Sequence, residues 1–223
     1  MFPIIGPANN YSVQTQEGEA TLDQHGIARV LNYQNTFSSQ TSATYVMKYE
    51  KNSQYKNPKH NNDSTRPENM FWPYSFKLTK TFNLTNKSLQ INFQITRDDL
   101  MPFMFGYHPA FKLSDTMQEY IEINNKNVPL RDIMETGNEA YKIENCRNAI
   151  LRTRDEKNVD VEVSTQGFDN LMLWAPSEHM VCIEPITHLP MPQKPINFNE
   201  IPSSKNSEFS VIIKPILESR VKC

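Results

Sequence analysis

Two short segments carry the side chains best suited to proton transfer. Gly106-Tyr107-His108-Pro109-Ala110-Phe111 sets one histidine among apolar and aromatic residues, and Val181-Cys182-Ile183-Glu184-Pro185 sets one carboxyl the same way. A histidine and a carboxyl in a mostly apolar cleft can give and take protons near neutral pH, because burial and mutual charge tune both pKa values. Opening and closing a sugar ring needs one group to donate a proton and one to accept it, and no more.

Each residue also has a plainer reading. His108 is either a proton donor at the floor of a cleft or a core histidine bonded to a backbone carbonyl. Glutamate is rarely fully buried without a partner. In a strand, Cys182 and Glu184 share one face and Val181 and Ile183 the other. Glu184 therefore either points into a concave surface as a base, or sits exposed on an edge strand that Pro185 terminates.

A third segment, Asp23-Gln24-His25-Gly26-Ile27-Ala28-Arg29, brackets a small turn at Gly26. If Ile27-Ala28-Arg29 opens a strand, Arg29 can present several donors to hydroxyl or phosphate oxygens. The alternative is a polar surface turn. Trp174 offers a plane for the CH face of a pyranose or for ordinary core packing. Asp169, after Gly167-Phe168, is either an acceptor for ligand hydroxyls or a turn residue.

The elements that must position these groups read as strands. Leu89, Ile91, Phe93 and Ile95 alternate with Gln90, Asn92 and Gln94, the period of a half-buried strand. Ahead of them Phe76, Leu78 and Phe82 alternate with polar residues, and Lys80 breaks the apolar set. A turn at 83–87 makes residues 75–96 a hairpin. Val159, Val161 and Val163 mark another strand, as do Leu171–Trp174 and Met180–Ile183, joined by a turn at Pro176-Ser177-Glu178, and Phe209–Ile213. No long window keeps a helical stripe, and 15 prolines disfavour long helices. Residues 51–70 and 187–207 read as loops. The expectation is an all-β chain with few or no helices, an antiparallel sandwich forming one domain over 1–223.

Composition narrows the partners. The net charge is −2 with no basic block, which disfavours nucleic acid and acidic membranes. No apolar run reaches the ~20 residues of a spanning helix, and the start lacks a signal-peptide pattern. Three well-separated cysteines, Cys146, Cys182 and Cys223, give neither a zinc motif nor a disulfide framework. A reducing cytoplasm fits, with no metal or cofactor.

Taken in order, Phe2-Pro3-Ile4-Ile5-Gly6, His25-Gly26-Ile27-Ala28-Arg29, Trp72-Pro73-Tyr74-Ser75-Phe76, Gly106–Phe111, Leu173-Trp174 and Cys182-Ile183-Glu184-Pro185 resemble the aldose 1-epimerase (galactose mutarotase-like) superfamily, in its bacterial aldose 1-epimerase-like branch. The resemblance implies an antiparallel β super-sandwich with a sugar cleft, and anomer interconversion without a cofactor. It implies that His108 is the general acid at the ring oxygen and Glu184 the general base at the anomeric hydroxyl. The substrate-binding set it implies is His25, Arg29, Tyr107, Asp169 and Trp174, with Asp169 placed by position alone. The ligand would be a sugar or sugar phosphate, and Arg97, Arg152 and Arg154 are further cations for a phosphate. A non-catalytic carbohydrate-binding protein on the same scaffold is the alternative. The Phe-Pro-Ile motif lies well inside the family's chain but starts here at residue 2. The expectation is therefore an N-terminally short variant with an open sheet edge, able to form a homodimer.

Overall fold

The computed structural model describes residues 1–114, 118–153, 159–190, 194–200 and 206–216. Its largest sheet has nine strands. Their spatial order is Lys126–Pro129, Tyr120–Ile123, Asn148–Arg152, Asp160–Gln166, Glu208–Ile216, Leu89–Arg97, Phe76–Leu84, Ser42–Tyr49 and Gln34–Ser38. Every neighbouring pair is antiparallel. The expected hairpin is there in full, with Phe76 opposite Arg97 and Leu84 opposite Leu89. Alternation puts Phe76, Leu78, Ile91, Phe93 and Ile95 on one buried face, as the period-2 pattern requires.

A second sheet orders Tyr141–Ile143, Asn170–Ser177, Met180–Ile186 and Ala110–Lys112. Leu171, Leu173, Val181 and Ile183 share a fully buried face. Met172, Trp174, Cys182 and Glu184 lie on the other, since Met172 pairs with Glu184 and Trp174 with Cys182. Aromatic rings join the layers. Phe105 lies 4.9 Å from Phe209, 5.1 Å from Phe93 and 5.5 Å from Phe168. Phe2 lies 4.7 Å from Phe76 and 5.5 Å from Phe103.

The fold is thus an all-β sandwich, with Leu130–Glu135 as its α-helix among the described residues. No helix among these residues is long and apolar enough to cross a membrane.

Four local expectations change. Ile27–Arg29 is a 3-10 turn rather than the opening of a strand. His25 (φ 66°) and Gly26 (φ 76°) reverse the chain first, and a Cβ at residue 26 would lie 2.4 Å from the Phe2 carbonyl oxygen, so only glycine fits. Residues 51–70 are not merely a loop: Tyr55–Lys56 pairs with Asn69–Met70. In the proline-rich stretch, Ile196–Asn197 adds a parallel strand to Ser12–Thr15. The strand after Gly167 runs through Ser177, so Pro176 and Ser177 belong to it, and a register irregularity follows Trp174.

Candidate active site

The site is a cross-strand pair extended by one turn. Met180, Val181 and Cys182 pair with Lys112, Phe111 and Ala110. Tyr107 N–H continues the ladder to the Pro185 carbonyl at 3.0 Å, and Gly106 bridges to Ile186. This register sets His108 opposite Glu184, on the face that carries Cys182 and Ala110. Side chains directly opposite one another in such a ladder are close enough to interact. His108 Nε2 and Glu184 Oε1 are 3.2 Å apart. The Glu184 side chain is 3% exposed and that of His108 32%, so the pair has a buried and an open end. Gly106 is needed for this close approach: a Cβ there would meet Ile186 Cγ2 at 2.9 Å.

Burial decides the electrostatics. Glu184 is pushed up to about 8 because its carboxylate would be charged in a desolvated place. His108 is pulled below the ordinary imidazole value by the same cause acting on a cation. At neutral pH the pair therefore holds one proton, resting on the carboxyl. Cys182 is also within 4.8 Å, which makes a His-Cys-Glu donor set. Burial pushes its thiol up to about 12. Two of those three donors thus keep their protons at neutral pH, whereas a metal ion needs them deprotonated.

His25 is brought to the same place by the first residues of the chain. Phe2 N–H donates to His25 O at 3.0 Å, His25 N–H to Gly6 O at 2.9 Å, and Met104 N–H to Pro3 O at 2.8 Å. The His25 ring stands edge-on to His108 with centroids 6.0 Å apart. Gly6 N–H donates to Nδ1 at 3.1 Å, which places the ring proton on Nε2. Desolvation pulls His25 down to about 3, so it is a neutral donor.

Trp174 closes another side, its ring 5.8 Å from His108 and its Nε1–H donating to Gly137 O at 3.2 Å. Tyr107 packs on Phe93 at 5.2 Å, pointing to the nine-stranded sheet rather than toward Trp174. Arg29 is exposed and donates to Gln24 O at 3.3 Å. Asp169 is held elsewhere, in a 2.7 Å surface ion pair with Arg147 in which both side chains are more than half exposed. Of the further cations, Arg152 is paired with Glu122 and Asp160, and Arg97 donates to the carbonyls of Asp99 and Met101. Arg154 and Cys223 lie outside the described residues.

Comparison with known proteins matches residues 8–188 to the family described as aldose 1-epimerase. The chain belongs to the aldose 1-epimerase family. Among curated proteins it is 24% identical over 151 residues to the chromosomal LacX protein of Lactococcus lactis subsp. lactis, covering 50% of each chain. The chain thus spans about half the length of that relative. Solved structures that share the fold include the following two. A galactose mutarotase-like protein from Lactobacillus casei superposes with TM-score 0.76 at 18% identity, over 96% of this chain and 83% of that one. A galactose mutarotase related enzyme from Lactobacillus acidophilus superposes with TM-score 0.71 at 19% identity, over 97% and 81%.

Proposed function

We propose that this family member is an aldose 1-epimerase that interconverts the α and β anomers of an aldose through the open-chain form. The observation that carries the reading is the His108–Glu184 pair, 3.2 Å apart, with a buried carboxyl and a partly open imidazole. In ring opening, Glu184 takes the proton of the anomeric hydroxyl and His108 gives one to the ring oxygen. The bond from C1 to the ring oxygen breaks as the C1 carbonyl forms. Rotation about C1–C2 exposes the other carbonyl face. Closure reverses both transfers, with Glu184 as acid and His108 as base.

Each half-cycle moves one proton onto one member of the pair and one off the other, so the total is constant. Opening draws on the minor proton arrangement, imidazolium and carboxylate, reached when the single proton crosses the 3.2 Å contact from Glu184 to His108, and ends at imidazole and carboxylic acid. The second state is the one burial favours, so the pair is poised at the proton distribution that accompanies the aldehyde. The uncharged His25 Nε2–H and the Arg29 guanidinium serve as donors to sugar hydroxyls, and Trp174 as a wall for the ring's CH face. Tyr107 lines the side toward the nine-stranded sheet.

The test is polarimetry of freshly dissolved α-glucose and α-galactose at pH 7, with wild type, Glu184→Gln and His108→Asn. Acceleration by the wild type that drops by about 10²-fold or more in either variant is expected. Folded protein that accelerates no aldose would leave a sugar-binding role without turnover.

A further inference from the structure

Proton transfer uses two of three metal-binding side chains that the ladder brings together. A ring nitrogen of His108, the Cys182 sulfur and a Glu184 carboxylate oxygen all lie within 4.8 Å of one another. Cys182 and Glu184 share one strand face, and His108 stands opposite Glu184 on the neighbouring segment. Cys182 is fully buried, and the proton transfers need nothing from it. The spacing suits a small tetrahedral ion. Nitrogen and oxygen ligands about 2.0–2.1 Å from zinc lie about 3.3–3.4 Å apart at the tetrahedral angle. His108 Nε2 and Glu184 Oε1 are already 3.2 Å apart. A thiolate about 2.3 Å from the ion needs about 3.6 Å to each of them, so closing the set takes a shift of roughly 1 Å, shared among three side chains.

The donor types select the ion. Imidazole, thiolate and carboxylate suit Zn²⁺ and Co²⁺, whereas Mg²⁺ and Ca²⁺ take oxygen ligands. The charge fits as well. A thiolate and a carboxylate together balance a dication, so the bound group is neutral, and its burial costs far less than that of an unpaired charge. Three protein ligands leave a fourth position open, the pattern of zinc sites that exchange a water or a small ligand. The His108 side of the pair is the open one, which gives an ion a way in from solvent.

We infer that His108, Cys182 and Glu184 form a binding site for Zn²⁺, and that the ion acts there as a reversible inhibitor and not as a cofactor. The thiol and carboxyl protons pass to solvent as the sulfur and oxygen bonds to the ion form, and the imidazole lone pair makes the third bond. Nothing is oxidised or reduced. The bound ion then occupies both the imidazole nitrogen and the carboxylate that ring opening would use. The binding stands apart from the epimerase reading, and only the inhibition rests on it.

The test adds Co²⁺ as a spectroscopic probe to wild type, Cys182→Ser, His108→Asn and Glu184→Gln, and then displaces it with Zn²⁺. Wild type should bind Co²⁺ with the visible spectrum of a tetrahedral ion and a thiolate-to-cobalt charge-transfer band. Cys182→Ser should lose that band, and each variant should hold Zn²⁺ more weakly by on the order of 100-fold. No Co²⁺ or Zn²⁺ bound by wild type overturns the inference. So does a band that Cys182→Ser retains, which would belong to Cys146 or Cys223. Undiminished affinity in both His108→Asn and Glu184→Gln overturns it too, since that would mark a lone thiol. Should Cys182→Ser fail to fold, those two variants decide. Polarimetry covers the inhibition. Zn²⁺ should stop anomer exchange by wild type and a chelator should restore it, and exchange at full rate with the ion bound overturns the inhibitory role. If no sugar is turned over without Zn²⁺, the epimerase reading fails and the inhibitory role falls with it, while the Co²⁺ spectra still decide the site.

Discussion

His108 and Glu184 stand opposite each other in one antiparallel ladder, and the same burial moves their proton affinities in opposite directions. With Nε2 and Oε1 at 3.2 Å, the carboxyl is raised to about 8 and the imidazole lowered below its ordinary 6.5. The gap between them is the range in which the pair holds one proton. Catalysis that depends on that count should give a bell-shaped profile of kcat/KM against pH. The alkaline limb should fall near pH 8, where the single proton leaves. The acid limb should fall below pH 6.5, where a second proton arrives. Rates measured from pH 5 to 9.5 check this, and a profile flat through pH 8 would contradict the assignment of the proton to Glu184.

The same shift has a consequence for stability. Glu184 ionises near 4.5 in the unfolded chain and near 8 in the fold. Between those values the folded state binds more protons than the unfolded one, so stability falls as pH rises through this window. Glu184→Gln keeps a neutral side chain of the same shape and removes that slope. The variant should gain on wild type as pH rises, by on the order of a few kcal/mol at pH 9, since each pKa unit corresponds to about 1.4 kcal/mol. At pH 5 the two should melt within a few degrees of each other. Thermal melts at both pH values check the sign.

How much of this was legible in the sequence varies with how local the signal is. The hairpin of Phe76–Leu84 and Leu89–Arg97 follows from alternation alone, because one face must be buried. So does the shared face of Cys182 and Glu184. Their pairing with His108 is not local. It is set by the ladder between Gly106–Lys112 and Met180–Ile186, which no periodicity encodes, and only the family resemblance brought the two together. The turn at Ile27–Arg29 was hidden because its cause is a contact, the approach of Phe2 to Gly26, that lies far off in the chain. Lys80 was visible as an anomaly, but the rings that surround its ammonium, Phe82, Phe93 and Tyr107, come from three separate segments.

His25 separates two tasks on one ring. Nδ1 accepts from Gly6 N–H at 3.1 Å, and Nε2–H is left as the donor. The residue also holds a positive φ of 66°, which asparagine tolerates better than most residues. His25→Asn can keep an acceptor near the Nδ1 position and the backbone turn, while losing the donor. Its melting temperature should stay within a few degrees of wild type, with kcat/KM down about tenfold. His25→Ala should lose about 1–3 kcal/mol as well, because it leaves Gly6 N–H unpaired. Similar melting of the two variants would remove the structural part of this account.

The segment 57–68 is fastened to the site by a buried carboxylate. Asp23 is 5% exposed. It accepts from Gln24 N–H at 2.6 Å, Asn57 Nδ2 at 2.8 Å and Arg66 Nη1 at 2.9 Å. Burial opposes its ionisation, and these donors outweigh it and hold the pKa below the ordinary value. Its stabilisation is therefore present above the unfolded pKa and fades as pH falls through the folded one. Arg66→Met removes one donor and leaves the charge with Gln24 and Asn57. The Arg66 side chain is 28% exposed, so water screens part of the loss, and about 1–2 kcal/mol is expected at pH 7. Asp23→Ala should cost more, because Asn57 and Arg66 then both lose their acceptor. Asp23 lies two residues before His25, and Lys59 rides on the segment it fastens. Faster amide exchange over 57–68 should therefore accompany a raised KM in both variants. Unchanged exchange there, with stability lost elsewhere, would show that the carboxylate anchors the core and not the segment.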